Sequence, residues 1–452
     1  MDNQKDFENG SIFQLLMRLA IPAIFAQLVN SLYNIVDRIY IGHIPGVGSA
    51  ALTGVGLTFP IIIIISAFAS MVGMGGAPLA SIKMGEKNNG GAEKILGNAI
   101  SLLALFGVLV TILFLTFKGP FLQMFGVGAD SFRYADSYIT IYVCGSIFVM
   151  FSLGLNPFIN TQGFAKTGML TVLIGAAINI VLDPIFIFVF RLGVRGAAIA
   201  TVLSQAVSAA WVLRFLTGKK TILKVKKENL KLHPKIVGSV CALGFAPFIM
   251  QSTESLLQIT FNKNLALHGG EVYVGVMTII SSLSQVLLMP LTGLTQGAQP
   301  ILGYNYGANR LDRVKKTERF LIGLCFGFSI LSWVLCMFTP SLLIQIFSSD
   351  AALIEIGVPM FRIYYCMFFL MGLQIACQQS FIALGQAKIS VFLALLRKII
   401  LLIPLILIMA SIWGTTGIFA AEPVSDTLAV LTTCISFLIF IRKVYAGKII
   451  KQ

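Results

Sequence analysis

Charge is scarce in this sequence. Only 11% of its 452 residues are Asp, Glu, Lys or Arg, where a soluble domain carries about 25%. With 57% of the chain apolar, one water-soluble core could not hide so much hydrophobic surface. Histidine is rarer still: His43, His233 and His268 complete the set, and all three fall in expected loops. No HExxH, GxSxG or P-loop pattern occurs. The nucleophile–base or metal constellation of a membrane-embedded hydrolase or acyltransferase is therefore missing, and no cofactor or structural metal is expected. The seven cysteines stand singly, without a CxxC or Cys/His cluster, and read as small packing residues. A cleavable signal is not evident. Met1 to Gly10 is polar and partly acidic, and the first apolar segment contains Arg18 and Pro22 and outruns a signal-peptide core.

What is abundant is long apolar sequence. A membrane-spanning helix needs roughly 20 mostly apolar residues. Apolar runs read against Gly, Pro and charged breaks predict twelve such helices, at 13–41, 51–80, 95–117, 135–160, 168–190, 196–216, 237–262, 272–300, 320–339, 358–384, 389–411 and 414–441. The fold class expected is an all-α membrane protein, with the lipid bilayer as its partner.

The net charge of +15 would suggest nucleic acid in a soluble protein. Here the bases sit in short loops, so topology accounts for them and no nucleic-acid partner is expected. One side collects Lys5, Arg18, Lys83, Lys87, Lys94, Lys166, Arg214, the run Lys219 to Lys235, Arg310 to Arg319, Lys388 and the tail Arg442 to Lys451. The other side has Lys118, Arg133, Arg191, Arg195 and Lys263. The basic side is expected to be cytoplasmic, with both termini inside, which an even number of spans allows.

The chain also repeats itself. Leu19-Ala-Ile-Pro22 answers Leu243-Gly-Phe-Ala-Pro247, and Ala77-Pro78 with Met84-Gly85 answers Gln299-Pro300 with Tyr306-Gly307. Gly163-Phe-Ala-Lys166 answers Gly385-Gln-Ala-Lys388, Leu182-Asp183-Pro184 answers Leu402-Ile403-Pro404, and Gly196-Ala-Ala-Ile answers Gly417-Ile-Phe-Ala. Matches in order at one spacing indicate duplication. Six spans per half give both halves one orientation, related by a pseudo-two-fold axis along the membrane normal. The expected division is an N-terminal bundle at 1–218, a basic cytoplasmic linker at 219–235 and a C-terminal bundle at 236–452.

Polar residues inside a bilayer need a reason, since a charge at its centre costs about 2.5–3.5 kcal/mol on insertion scales. Gln27, Asn30, Asn34 and Asp37 share one face of the first span and read as the lining of a wet cavity. The competing reading is that Asp37 merely pairs with Arg38. Asn179 and Asp183, four apart on the fifth span and followed by Pro184, combine a carboxylate, an amide and loosened carbonyls. Such a set can hold a proton or a hard cation such as Na⁺, with Asn156 and Thr201 as further donors; a hydrogen-bonded pair at a kink is the alternative. A second stripe, Gln251, Glu254 and Gln258, lies on the seventh span, and Glu422 and Asp426 on the twelfth. Arg397 and Lys398 on the eleventh are candidate counter-ions, or else snorkel to the cytoplasmic surface. The repeat partners of Asp37 and Asp183 are Asn262 and Ile403, so the acids at these positions belong to the first half alone.

The early proline, the run Asn34-Ile-Val-Asp37-Arg-Ile-Tyr-Ile-Gly42, the paired Ala77-Pro78 and Gln299-Pro300, and Asn179-Ile-Val-Leu-Asp183-Pro184 resemble the multidrug and toxic compound extrusion (MATE) family over nearly the whole chain. The resemblance implies a V-shaped pair of bundles in a bacterial cytoplasmic membrane, a monomer, exporting small cationic amphiphiles in exchange for H⁺ or Na⁺. It implies a cation site at Asp37, Asn179 and Asp183, and it likens Glu254 to a seventh-span glutamate of one branch. The tenth span offers Gln374, Gln378 and Gln379 where that branch carries an aspartate. A flippase for a lipid-linked substrate on a related fold is the alternative. It needs basic side chains in the cavity, with Arg362 and Arg397 the candidates.

Overall fold

The computed structural model describes residues 3–124, 129–348 and 350–445, and among these every regular element is helical. The spans of the first half are α1 (Ile12–Gly42), α2 (Gly48–Gly85), α3 (Asn89–Met124), α4, α5 and α6 (Val194–Leu216). α4 is a bent pair, Ala129–Cys144 and Ser146–Thr161, with a 57° break. α5 is Ala165–Pro184 continued by the π-helical turn Ile185–Val189. The second half has α7 (Pro234–Gly269), α8 (Glu271–Gly307), α9 (Leu311–Phe338) and α10, built from Ala351–Tyr365 and Met371–Ala383. Ala387–Leu395, the π-helical stretch Leu396–Leu402 and residues 403–413 form α11, and residues 415–445 form α12. These last two spans run on as 59 hydrogen-bonded residues. Unbroken, that helix would measure about 88 Å, nearly three hydrocarbon thicknesses. Gly414, at φ 58°, ψ −136°, turns the chain back, a conformation open to a residue without Cβ.

The helices outrun the apolar windows, because hydrogen bonding sets their ends and hydropathy marks only the stretch in lipid. α9 begins at Leu311, so Arg313, Lys315, Lys316 and Arg319 are helical rather than in a loop. α10 begins at Ala351, where the Asp350 carboxylate accepts from the Ala352 amide at 3.0 Å. His268 is likewise in the last turn of α7 and not in a loop; that helix continues to Gly269 before Gly270 breaks it at φ 79°. Lys448 and Lys451 of the basic tail lie outside the described residues.

The two six-helix bundles meet along α1, α2, α7 and α8. Every close glycine contact of this seam lies toward the ends that carry the basic loops. Gly75 abuts Val240 and Gly244, Gly244 abuts the Met71 carbonyl, Gly85 abuts Tyr304, and Gly307 abuts the Ile82 carbonyl. Gly297 rests on Ala20, and the Ser81 hydroxyl donates to the Pro300 carbonyl at 3.0 Å. The N-terminal helix Asn3–Asn9 seals the same end: Phe7 is fully buried and stacks on Tyr304 at 5.3 Å, while Arg313 donates to the Gly10 carbonyl at 2.8 Å. At the opposite end the second half has its own core, including Leu257, Phe261, Ile280, Phe361, Tyr365 and Phe419. Among the described residues no side chain of the first half joins it. The halves are thus pressed together at the basic end and apart at the other.

The basic linker is docked rather than loose. Gln162 Oε1 accepts from the Thr221 hydroxyl and from the amides of Ile222 and Leu223 at 2.7–2.9 Å. Asn98 accepts from the His233 amide at 2.7 Å, and the Ser101 hydroxyl donates to the Leu230 carbonyl at 2.5 Å. Lys226 pairs with Glu93 at 2.5 Å, a contact that raises the ammonium pKa above its ordinary value. Gln162→Ala leaves the Ile222 and Leu223 amides without their shared acceptor, at about 1–3 kcal/mol, while the Thr221 hydroxyl keeps the Leu223 carbonyl at 2.9 Å. Tryptic cleavage between Lys219 and Lys231 should then accelerate about tenfold while the thermal melting of the helical body hardly moves; unchanged cleavage would show that Gln162 does not hold the linker.

Candidate functional site

α1, α5 and α6 carry their polar residues to one place inside the first bundle. Asn179 and Asp183 lie one turn apart on α5 and are 1% and 0% exposed. The Asn179 amide donates to Asp183 Oδ1 at 3.2 Å and to the Thr201 hydroxyl at 3.4 Å. Thr201 in turn donates to the Ala197 carbonyl at 3.0 Å, which points its oxygen lone pairs at the amide. Asp37 arrives from α1, near enough to Asp183 for the two carboxyl groups to act on one another. Arg38 does not pair with it: the guanidinium lies over the Phe59 ring, 5.0 Å from its centre.

The decisive feature is a surplus of acceptors. Asp37 Oδ1, Asp183 Oδ2 and Asn179 Oδ1 are all buried and take no hydrogen bond from the protein. Two facing carboxylates repel, and an unsatisfied buried charge is costly. A proton or a small hard cation satisfies both demands, and carboxylate, amide and hydroxyl oxygens are the donors such an ion prefers. Pro184 and the π-helical turn Ile185–Val189 adjoin the cluster, where irregular helix often marks a functional position.

The structure adds two residues and removes one. The tyrosines Tyr33 of α1 and Tyr138 of α4 lie within electrostatic range of the acids, Tyr33 of both and Tyr138 of Asp37, and Tyr138 is 3% exposed. Asn156 is not in this cluster. Its amide donates to the Gly168 carbonyl at 3.2 Å, eleven residues before Asn179, which is about 16 Å of helix rise. Sequence spacing shows the face a residue occupies but not which depth its neighbours reach. Gln27, Asn30 and Asn34 are half-buried along α1, with the Asn34 amide bonded to the Asn30 carbonyl at 2.7 Å.

The second bundle builds a different polar centre. Arg397, on the π-helical stretch of α11, meets Asp426 at 2.9 Å and Glu422 at 3.5 Å. Its neighbour Lys398 pairs with Glu254 of α7. Gln251 is half-buried with Oε1 unpartnered, and Gln258 is exposed. The counter-ion role read for Arg397 and Lys398 therefore has definite partners.

Comparison with known proteins follows the same duplication. The family model MatE matches twice, at residues 22–185 and 247–408, once in each bundle. The chain belongs to the MatE family. The Multidrug export protein MepA of Staphylococcus haemolyticus is 23% identical over 93% of this chain and 92% of its own. MepA of Staphylococcus aureus strain NCTC 8325 is 24% identical over 94% and 93%. Among solved structures, a MATE in the bent conformation superposes with TM-score 0.92 at 22% identity, covering 99% of both chains. An outward-facing multidrug resistance MATE family transporter of the MOP superfamily gives 0.90 at 22% identity, over 97% of this chain and 98% of that one. For this MatE protein the relatives are named as export proteins and transporters, so the enzyme reading is set aside. It is a multi-pass membrane transporter.

Proposed function

We propose that this protein exports small cationic amphiphiles from a bacterial cell in exchange for H⁺ or Na⁺, by alternating access between its two bundles. The observation that carries the coupling is the trio of buried, donor-less oxygens on Asp37, Asn179 and Asp183. On the positive-inside assignment the closed basic end is cytoplasmic, the cavity opens outward, and both termini are inside. The ion then reaches the cluster from outside. Neutralising the facing acids removes their repulsion and lets α1 settle differently against α5. A change in α1 reaches the seam directly, because Ala20 and Ile24 of the same helix rest on Gly297 and Gly293 of α8. Exchange requires the ion and the organic cation to favour different states of that helix. The domain division at 219–235 fits this scheme, with the docked linker joining two moving bodies, and a monomer suffices.

The flippase alternative has weaker support, because Arg397 is already matched by Glu422 and Asp426 and offers no free charge to a pyrophosphate. The test is ethidium transport in proteoliposomes with pH and Na⁺ gradients imposed separately. Transport driven by one of them is expected; none under either would overturn the exporter reading.

A further inference from the structure

The two ion pairs of the second bundle differ in a way that matters. The Arg397 group is closed: Arg397, Glu422 and Asp426 side chains are 14%, 13% and 8% exposed, and the Ser425 hydroxyl holds the Arg397 carbonyl at 3.0 Å. The Lys398 pair is lopsided. Lys398 is 13% exposed, but its partner Glu254 is 61% open. An ion pair with one exposed member is weaker and more exchangeable than a closed one, whereas a buried pair resists separation.

Lys398 also has somewhere else to go. It lines a small cavity with Met250, Gln374, Gln378, Gln379 and Arg397. Gln374 is 3% exposed, and its Oε1 takes no hydrogen bond. The neighbouring amides are occupied: Gln374 Nε2 faces Gln378 Oε1 at 3.5 Å, and Gln378 Nε2 donates to the Ser390 carbonyl at 3.1 Å. An ammonium is a donor only, and the unfilled Gln374 acceptor is the partner it lacks in this cavity.

We propose that Lys398 is a tethered competitor for Glu254: an organic cation arriving at the exposed side of Glu254 takes its carboxylate, and the Lys398 ammonium withdraws into the small cavity toward Gln374. The site thus binds monovalent organic cations by displacement, without needing a free ion in the second bundle. This deepens the exporter reading and rests on it. It also assigns a selectivity. A ligand must outcompete a tethered ammonium, so bulky apolar cations that gain contact with Met250 are favoured over small hydrated ones. Uncharged compounds have no means of releasing Lys398.

Binding of tetraphenylphosphonium to the purified full-length protein, measured by titration calorimetry, tests this. If Lys398 occupies Glu254 about nine-tenths of the time, removing it raises apparent affinity about tenfold. Lys398→Met should bind about tenfold more tightly, Lys398→Arg should stay close to wild type, and Glu254→Gln should bind more weakly. The gain from Lys398→Met should vanish in the Glu254→Gln background, and neutral triphenylphosphine oxide should not distinguish the variants. Because the Glu254 side chain is exposed rather than packed, its unpairing leaves the fold intact, which the melting temperature checks. Lys398→Met within about twofold of wild type, or a gain that persists without Glu254, overturns the proposal while leaving the exporter reading standing. No tetraphenylphosphonium binding by any form counts against both.

Discussion

Asp37→Asn is expected to reduce gradient-driven ethidium transport in proteoliposomes by about a hundredfold or more while leaving the protein folded. The size follows from what is removed: one of two facing carboxylates whose free oxygens make the ion site. Losing a close charge partner in such a setting is worth at least about 3 kcal/mol, and each 1.4 kcal/mol is tenfold. The amide is isosteric, so Asp183 keeps its bond from Asn179 at 3.2 Å. Asp37→Asn should stabilise the resting protein by ending the repulsion, even as it ends coupling. A variant that transports at the wild-type rate under the same gradient would remove Asp37 from the mechanism.

Gly244→Leu is the second large effect, and it acts far from any ion. A Cβ at Gly244 would collide with the Met71 carbonyl across the seam. Backbone cannot step aside as a side chain can, so the closed basic end is disfavoured by at least the roughly 1–3 kcal/mol of ordinary overpacking. That moves the population about tenfold or more toward a form open at this end. Spin labels at Lys87 and Asn309, on the basic-end loops of the two bundles in a cysteine-free background, should report a longer distance by double electron–electron resonance. Export should fall with it. Gly238→Leu is the control, because a Cβ there meets nothing within 4 Å. Equal distances in the two variants would contradict the gating role of the seam.

The twelve spans were legible because a bilayer imposes length and apolarity on each one. The duplication was legible because prolines and glycines at bends and seams recur where the scaffold needs them. Helix ends were not, since charged residues such as Arg313 and Lys316 propagate a helix as well as leucine does. The Asn179–Asp183 pair could be read from its four-residue spacing and from Pro184. Tyr33 and Tyr138 could not: in a chain with 35 Phe and 11 Tyr, two more aromatics on span faces give no contrast. Asn156 shows the converse limit: suited by type to be a further donor, it lies at the wrong depth. The Lys398–Glu254 pair joins residues 144 apart, which helix periodicity alone does not connect. The docked linker is hidden in the same way, because its anchor Gln162 lies about 60 residues upstream and carries no charge that would mark it.

A proton or Na⁺ on the Asp37–Asp183 pair and an organic cation in the cavity should oppose one another. Tetraphenylphosphonium binding to the purified protein, titrated at several pH values and Na⁺ concentrations, tests this most directly. Wild-type affinity should fall as the coupling ion is raised, and binding should release that ion. Asp183→Asn should abolish both the dependence and the release. An affinity independent of pH and Na⁺, with no ion released, would contradict the account.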